Sequence, residues 1–439
     1  DFEADYPEAK VIRLEQNYRS TRTILAAANA VIQHNQNRKE KNLWTENVAG
    51  EKITLYVAND ERDEADFIAN AVRREMAQSS QTASYNDFAV LYRTNAQSRV
   101  LEEGFMRYGL PYTMVGGLKF YERKEIKDII AYLRLIFNPL DAMSLRRIIN
   151  VPRRGLGDTS LSRIEAYAAE QGLNLFDVIS SPEYLEDVPR LNARARHVLT
   201  DFAALIFDLL AEVETLPLAQ LVEKVLEATG YNDELTKENK PENEARLENL
   251  KEFISVAKDF EASGETPNLE NFLNHIALIS DIDEADIAGD RVTLMTLHSA
   301  KGLEFPVVFL AGMEEGLFPH ARTLMEPDAL EEERRTCYVG ITRAQRKLYL
   351  SYAKQRMIFG HLTVYPPSRF LTEIPAEFME AFAAAPISGR NQERLRGRSF
   401  PARKRGGSIV DNGVTGTMSA NQALKFFSGQ EALSGIVPA

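Results

Sequence analysis

The segment RVTLMTLHSAKGLEFPVVFL, residues 291–310, contains two apolar runs on either side of a polar turn. Both runs are rich in β-branched and aromatic residues, which predicts two short buried strands at 292–295 and 307–310. Similar runs recur along the chain, at 11–14, 53–57, 88–92 and 348–352. Helical apolar spacing separates the earlier runs, at 20–32 and 61–76. This alternation predicts an α/β fold with a parallel sheet.

The middle of the chain has a different pattern. The strand signal gives way to long amphipathic helical patterns, at 126–137, 160–171, 193–216 and 246–260. After about residue 380 the sequence becomes basic, with scattered glycine and proline, which is typical of a disordered tail. We therefore expect a sheet domain interrupted by a helical insertion and followed by a tail, with segments at 1–113, 114–286, 287–380 and 381–439.

The composition is that of an ordinary globular protein, with 44% hydrophobic and 26% charged residues. No run approaches the roughly 18 apolar residues of a membrane span, so no membrane association is expected. The single cysteine, Cys337, excludes an internal disulfide and fits a reducing, cytoplasmic setting. The chain begins at Asp1 without an initiator methionine or a signal-peptide pattern, so we expect it to be part of a longer protein.

The net charge of −12 at first argues against a nucleic-acid partner. However, twenty acids and nine bases fall between Glu183 and Glu270, so the rest of the chain is nearly neutral. A phosphate-binding surface needs local rather than overall positive charge. Nucleic acid therefore stays open as a partner, and the acidic stretch is predicted to be a solvated helical surface facing away from it.

Three polar segments contain the candidate functional residues. The first, EQNYRST at 15–21, follows a predicted strand. Tyr18 offers a flat face for a base, and Arg19 offers a fork of donors suited to phosphate oxygens. Because open α/β sheets bind ligands at the carboxyl ends of their strands, we expect this segment at that edge. Taken alone, a Tyr-Arg pair before a helix is more often structural.

The second segment, TLMTLHSAKGLEF at 293–305, also leaves a predicted strand. Metal binding is a poor interpretation of His298, because no second histidine or carboxylate stands at ligand spacing. Nucleophilic catalysis is equally poor, because Ser299 lacks the glycine-flanked turn of the hydrolases. Contacts to phosphate and sugar fit better, with Lys301 donating to phosphate and Glu304 accepting from a ribose hydroxyl.

The third segment, EEERRTCYVGITRA at 331–344, begins with a cluster of charges that suits a helix start with its acids in the first turn. A pair such as Glu331 with Arg335 is also compatible with a solvated face. Arg343 differs, because it follows Gly-Ile-Thr and is flanked by small residues. An arginine in that position suits the charge that develops on a transferring phosphoryl group.

Together, LEQNYRST, TLHSAKGLEF and YVGITRA resemble motifs IV, V and VI of the superfamily 1A DNA helicases of the PcrA/UvrD/Rep family, nearly letter for letter. The resemblance covers about residues 8–375 and includes further blocks in the family's order: FAVLYRTNAQSRVLEE, GGLKFYERKEIKDIIAYLRL, INVPRRGLGDTS, GLFPH and PPSRFL. It implies a RecA-like parallel-sheet domain, called 2A, interrupted by a mostly helical domain, called 2B.

The resemblance also implies roles for individual residues. At the nucleotide, Tyr18 would stack on adenine, Arg19 and Arg343 would contact the γ-phosphate as the catalytic arginines, and Glu304 would bind the sugar. The residues implied to contact single-stranded DNA are Arg93, Asn95, His298 and Phe359. Base stacking by Phe359 would tolerate any sequence, whereas ordinary core packing is the alternative interpretation of this residue.

The segment INVPRRGLGDTS resembles the family's duplex-contacting loop, which implies phosphate contacts by Arg153, Arg154, Gly155 and Gly157. The alternative is that both arginines pair with acids of the stretch that follows. One decoy lies at 276–284, where an apolar run ends in acids. It imitates a metal-binding strand, but inside a helical region it is predicted to be a helix followed by an acidic turn.

The phosphate-loop pattern G-x-x-x-x-G-K-[ST] does not occur in the sequence, and no metal ligands are predicted. The resemblance implies ATP and Mg²⁺ as cofactors, with the Mg²⁺ ligands in an N-terminal helicase half. The implied partners are that half, single-stranded DNA, a single-strand/duplex junction, and repair or transcription proteins.

The implied activity is an ATP-dependent 3′-to-5′ DNA helicase. Two rival interpretations stay open. One is a non-catalytic nucleic-acid-binding module. The other is a helicase–nuclease of the RecB/AddA type, although no nuclease-like cluster of acids and lysine is visible in the sequence.

Overall fold

The computed structural model describes residues 6, 8, 15–36, 38, 43–78, 84–237, 240–264, 266–284, 289–358, 361–384 and 417–418. Within these residues the chain forms one large sheet, helices on both of its faces, and a separate helical region. The strands of the large sheet are β1 (Ile53–Ala58), β2 (Phe88–Tyr92), β3 (Tyr112–Val115), β4 (Val292–Thr296), β5 (Phe305–Leu310), β6 (Ala344–Ala353), β9 (Met379–Ala383) and β10 (Thr417–Met418). A small antiparallel hairpin consists of β7 (Arg356–Ile358) and β8 (His361–Thr363).

The order of strands across the large sheet is β10-β9-β1-β6-β5-β2-β4-β3. All neighbours from β9 to β3 are parallel, and only the two-residue β10 is antiparallel. Every residue of β2 is buried, because helices cover both faces of the sheet. The predicted α/β fold with a parallel sheet is therefore confirmed. The strand predicted at 11–14 lies outside the described residues.

Helices α1 (Arg22–Ile32) and α14 (Pro327–Ile341) cover one face of the sheet, where Ala28 and Cys337 share a core with β1, β5 and β6. Helices α2 (Glu61–Gln78) and α3 (Ser98–Arg107) cover the opposite face. A four-residue helix, α15 (Arg369–Thr372), precedes β9. Short 3₁₀ turns occur at Tyr85–Asp87, Asn95–Gln97, Phe120–Glu122, Ala321–Thr323 and Ala376–Phe378.

Between β3 and β4, which are neighbours in the sheet, the described chain contains ten helices. They are α4 (Lys124–Phe137), α5 (Ala142–Ile148), α6 (Asp158–Gln171), α7 (Leu175–Ser180), α8 (Pro182–Asp187), α9 (Ala193–Glu212), α10 (Leu218–Thr229), α11 (Tyr231–Lys237), α12 (Pro241–Ala262) and α13 (Leu269–Glu284). Their apolar faces share one core, which includes Ile129, Phe202 and Phe253. None of the described helices is long and apolar enough to cross a bilayer.

Some predicted bounds differ from the structure. The helix predicted at 193–216 ends at Glu212, and the next begins after Pro217, a residue that cannot continue a helix. The acids expected in a turn near 281–284 lie within the bounds of α13. The expected divisions at 113 and 380 both fall inside strands, β3 and β9, because neither short segment has a strong strand pattern.

Candidate functional site

Two predicted nucleotide-contacting residues stand at the amino ends of neighbouring strands. Glu304 directly precedes β5, and Arg343 directly precedes β6. The two strands are parallel, and the Phe305 amide donates to the Arg343 carbonyl over 3.0 Å. Parallel pairing therefore brings these two residues, 39 positions apart, to the same edge of the sheet. We call this edge, with Tyr18 and Arg19, the nucleotide edge.

Hydrogen bonds hold the segment with Tyr18 and Arg19 against the start of β6. The Ser20 hydroxyl donates to the Ala344 carbonyl over 2.6 Å, and the Thr21 amide donates to the Gln345 carbonyl over 3.1 Å. The prediction that this segment lies at the carboxyl ends of the strands is therefore wrong. The prediction rested on the strand expected just before this segment. Instead, hydrogen bonds to Ala344 and Gln345, which are distant in the sequence, hold the segment at the amino end of β6.

An ion pair connects Arg19 to Glu304. Arg19 Nε donates to Glu304 Oε2, while Gln345 Nε2 donates to the other carboxylate oxygen over 2.9 Å. The hydrogen bond from Arg19 is the main reason why the pKa of Glu304 is lowered. Arg19 also uses Nη1 to reach the Thr342 carbonyl, at 3.3 Å. Glu304 is thus held ionised, with both of its oxygens already accepting hydrogen bonds.

The guanidinium of Arg343 is half-buried beside this pair. It donates to the carbonyls of Val339 at 3.0 Å and Leu303 at 2.9 Å, and to Thr342 Oγ1 at 3.2 Å. Burial and then repulsion from Arg19 lower the pKa of Arg343, although an arginine stays charged at neutral pH. Two guanidinium groups therefore lie near one carboxylate, that of Glu304, which pairs with Arg19 only. This excess of positive charge suits an anion such as a polyphosphate.

Tyr18 presents an uncovered aromatic ring at the same edge. Its side chain is 78% exposed, and its hydroxyl donates to Gln16 Oε1 over 2.7 Å. Asn47 Nδ2 donates to the backbone carbonyls of Tyr18 and Ser20, at 3.2 and 3.0 Å, which fixes the backbone beneath the ring. An ordered backbone with an exposed ring fits stacking on a planar ligand.

Three of the predicted DNA-contacting residues gather at the opposite edge. Arg93 follows β2 and His298 follows β4; these strands are paired, and the Leu297 amide donates to the Tyr92 carbonyl over 2.8 Å. Asn95 starts a 3₁₀ turn just beyond Arg93. We call the carboxyl ends of β2 and β4, with these three residues, the DNA edge.

Arg93 and His298 differ in their surroundings. The guanidinium of Arg93 makes a bidentate ion pair with Glu333, through Nε at 3.0 Å and Nη2 at 2.7 Å. His298 is exposed, yet partial burial and then repulsion from Arg93 lower its pKa. Its imidazole is therefore mostly neutral at pH 7, beside a paired but charged arginine. Phe359, the fourth predicted residue, lies outside the described residues.

The two arginines of the predicted duplex loop have different surroundings. Arg153 is exposed. Its hydrogen bond within the described structure is made by the backbone amide, which donates to Glu234 Oε2 over 2.6 Å. Arg154 turns inward, and its guanidinium lies 5.0 Å from the centre of the Phe202 ring. The same group donates to the Tyr132 hydroxyl and to four backbone carbonyls, those of Ile148, Ile149, Val151 and Pro152.

Arg154 therefore holds the turn together, and the expectation that it reaches a duplex phosphate is corrected by these contacts. They also differ from the alternative of pairing with acids, because the Arg154 guanidinium donates to carbonyls and a hydroxyl. Gly155 is exposed with φ of +79°, a conformation that favours glycine, and Gly157 is exposed in extended backbone just before α6. Arg153 and the two glycines are left as solvent-facing groups of the loop.

Comparison with known proteins identifies the family of this chain. The family described as UvrD-like helicase C-terminal domain matches residues 12–355. The chain belongs to this helicase family. It is 48% identical over 406 residues to the ATP-dependent DNA helicase PcrA of Staphylococcus epidermidis, and 49% identical over 409 residues to that of Staphylococcus aureus. These matches cover 92% of the chain and 54% of each relative, so the chain spans about half the length of the curated relatives it matches.

Two residues near the site, Glu333 and Gln345, were not identified as site residues from the sequence. Glu333 was assigned to a first helical turn, but α14 begins at Pro327, so Glu333 lies in the second turn and is buried against Arg93. Glu331 and Arg335 do form the expected pair, at 3.1 Å. Gln345, which orients Glu304, carries no sequence signal, because only strand pairing brings it beside that carboxylate.

A cleft of about 310 Å³ lies away from the nucleotide edge of this helicase-family chain, between the sheet and α12. Thr94 and His320 line one wall, and Glu248 and Lys251 line the other. Its walls mix both signs of charge, so it lacks the excess positive charge of the nucleotide edge. Among the described residues, no group of three or more His, Cys, Asp or Glu side chains is placed to hold a metal ion.

Proposed function

We propose that this chain is the C-terminal half of an ATP-dependent DNA helicase and translocase that moves 3′ to 5′. Its sheet domain, which contains β1 to β6 and β9, serves as the second RecA-like motor domain (2A). Its helical region, from α4 to α13, serves as a duplex-contacting domain (2B). The observation that carries this proposal is the cluster of Arg19, Glu304 and Arg343 on one sheet edge, together with family membership.

At the nucleotide edge, Tyr18 stacks on adenine and Glu304 contacts the sugar. Arg19 and Arg343 approach the γ-phosphate as the catalytic arginines. The donor set fits ATP, because two guanidinium groups lie near a single carboxylate and an exposed ring lies at the same edge. The phosphate loop, the Mg²⁺ ligands and the catalytic glutamate come from an N-terminal half. Arg343 leaves its carbonyl partners when a phosphate competes for its donors.

At the DNA edge, Arg93, Asn95, His298 and Phe359 contact the single strand. Separate edges for nucleotide and DNA suit a motor, because closing a cleft at one edge shifts residues at the other without the two ligands competing for space. In the helical region, Arg153, Gly155 and Gly157 contact duplex phosphates beside a junction. We place the protein in the cytoplasm and in DNA repair or replication, with repair or transcription proteins as further partners.

The test uses the intact protein that contains this chain. Phosphate release is measured with and without single-stranded DNA, and strand displacement is compared on duplexes with a 3′ or a 5′ single-stranded tail. We expect hydrolysis stimulated by DNA and unwinding from the 3′ tail. Unwinding from the 5′ tail would contradict the direction, and nucleic-acid binding without any hydrolysis would favour a non-catalytic binding module instead.

A further inference from the structure

Helix α14 spans the distance between the two edges of the sheet. Glu333, in its second turn, contacts Arg93 at the DNA edge. The helix ends at Ile341, and the next two residues, Thr342 and Arg343, belong to the nucleotide edge. At 1.5 Å per residue, the helix carries the chain about 12 Å from Glu333 to Ile341. One rigid element therefore holds a residue of each edge.

The contact at the DNA edge is strongly fixed. The Glu333 side chain is only 5% exposed and receives two guanidinium nitrogens of Arg93. Its Oε2 also accepts from the His320 backbone amide over 3.0 Å. Paired donors on a buried carboxylate give geometric specificity that a single contact lacks. The hydrogen bonds from Arg93 use Nε and Nη2, which directs Nη1 away from Glu333.

A second helix joins the same two edges. Near the start of α14, Asn35 Nδ2 donates to the Glu331 carbonyl over 3.0 Å, just past the end of α1. Near the end of α14, Arg19 reaches the Thr342 carbonyl, just before the start of α1. The two helices thus run antiparallel, pack through a shared core and are bonded to each other near both ends. A packed pair of this kind moves as a unit.

We infer that Glu333 is a positioning residue that ties Arg93 to α14 and thereby links strand binding at the DNA edge to Arg19 and Arg343 at the nucleotide edge. The inference rests on the proposed function. A phosphate bound by Arg93 shifts the guanidinium, Glu333 passes the shift to α14, and the helix moves the residues that follow it. Glu333 touches neither ligand, so its effect is on coupling between the sites.

The chain offers a matched control one residue away. Glu332 lies on the same helix and is 69% exposed, and it pairs with Arg335 at 2.8 Å, so it makes no contact with Arg93. Glu332→Gln and Glu333→Gln remove the same charge from the same helix. Any general effect of that charge on DNA attraction is common to both variants, and the difference between them isolates the contact with Arg93.

In the intact protein, the readout is the ratio of turnover with single-stranded DNA to turnover without it. Coupling between two sites commonly amounts to about 5–150-fold, so we expect Glu333→Gln to lower this ratio about tenfold relative to Glu332→Gln. The DNA concentration that gives half-maximal stimulation should stay within about threefold of the control, because the phosphate contact itself is kept. In an Arg93→Gln background, Glu333→Gln should cause no further loss.

Equal ratios for Glu333→Gln and Glu332→Gln, in a wild-type protein that DNA does stimulate, would overturn the inference and leave the proposed function standing. A wild-type protein without stimulation would overturn both. A further loss in the Arg93→Gln background would also overturn it, since Glu333 would then act by another route. If melting shows that Glu333→Gln is unfolded, Glu333→Asp, which keeps the charge but shortens the reach, takes its place with the same expected direction.

Discussion

Arg19 and Glu304 form an ion pair although 285 residues separate them in the sequence. The pair exists because Glu304 precedes β5, while Arg19 is bonded to the start of β6, its parallel neighbour. The residues proposed to form half of a nucleotide site are thus brought together within this chain. The other half, including the phosphate loop, is proposed to lie on a different domain.

The first prediction is that the chain alone does not hydrolyse ATP, with or without DNA. Two arginines and a carboxylate can contact a nucleotide, but the sequence contains no phosphate loop to hold Mg²⁺ and the β-phosphate. Steady-state phosphate release by the purified chain measures this. Turnover that disappears in Arg343→Ala would show a complete site within the chain and contradict the proposal of a half-site.

The second prediction concerns Arg343 in the intact protein. Arg343→Ala should slow hydrolysis far more than it weakens nucleotide binding, because the positive charge is needed most as the γ-phosphoryl group departs. Arginine fingers contribute about 10³–10⁵ to the rate in well-studied systems. Single-turnover hydrolysis and equilibrium nucleotide binding separate the two effects. A loss of affinity with turnover reduced less than about tenfold would make Arg343 a ground-state ligand.

The third prediction separates the two loop arginines. Arg153→Ala should weaken binding to a single-strand/duplex junction and lower its salt slope by about one unit, because one exposed cation leaves a phosphate. Arg154→Ala should lower the melting temperature and leave the salt slope unchanged, because its guanidinium serves internal carbonyls. Each variant is the control for the other. Titrations of junction DNA at several salt concentrations, beside melting curves, decide between these outcomes.

The fourth prediction is a pH dependence of DNA binding. The pKa of His298 is lowered in the free chain, so its imidazole is mostly neutral at pH 7. A nearby phosphate favours the protonated form, so binding takes up a proton and affinity should rise as the pH falls from 8 to 6.

The measurement for His298 is anisotropy of a labelled single strand at constant ionic strength. In His298→Gln the rise in affinity should shrink, whereas the same change at His197, an exposed residue of α9, should leave it intact. An unchanged pH profile in His298→Gln would remove this residue from the DNA contacts.

The fifth prediction concerns a buried ion cluster between the sheet domain and the helical region. Arg99 of α3 is fully buried and donates to Glu252 of α12 over 2.6 Å, and it also meets Glu103 and Asp259. Burial raises the pKa of Glu252 to about 7; attraction to Arg99 partly offsets this, and repulsion from Asp259 adds to it. The folded state therefore binds the Glu252 proton more tightly than the unfolded state does.

It follows that the contribution of Glu252 to stability is fully present below the unfolded pKa of about 4.5 and is lost as the pH rises to about 7. Glu252→Gln, which cannot ionise, should raise the melting temperature relative to wild type at pH 8 and lose this advantage at pH 5. The same change at the exposed Glu223 controls for the charge. A difference between Glu252→Gln and wild type that does not vary with pH would contradict this prediction.

The sequence predicted the sheet well, because strands such as β2 are buried on both faces and therefore appear as continuous apolar runs. It also indicated Arg93 and His298 correctly as residues that follow strands. It could not show that Tyr18 and Arg19 lie at the amino ends, because that placement depends on hydrogen bonds to Ala344 and Gln345. Local patterns do not contain such long-range contacts.

The sequence also could not show in which direction individual side chains point. Arg153 and Arg154 are adjacent and chemically identical, yet one faces solvent and the other caps the end of α5 and stacks near Phe202. Only the packing of α9 against the turn distinguishes them. The sequence likewise did not show that Glu333 lies in the second turn of α14, where it meets Arg93, 240 residues earlier in the chain.

The pairing of Tyr112 in β3 with Val292 in β4 has a consequence for how the chain folds. Closing a flexible loop of that length costs about 4–5 kcal/mol of chain entropy, before the constant that any closure adds. The intervening helices have a core of their own, in which α4, the first of them, packs against α12 and α13, the last two. Once that core has formed, the two ends of the helical region lie near each other. The outermost strand, β3, can then pair with β4 without closing a long flexible loop.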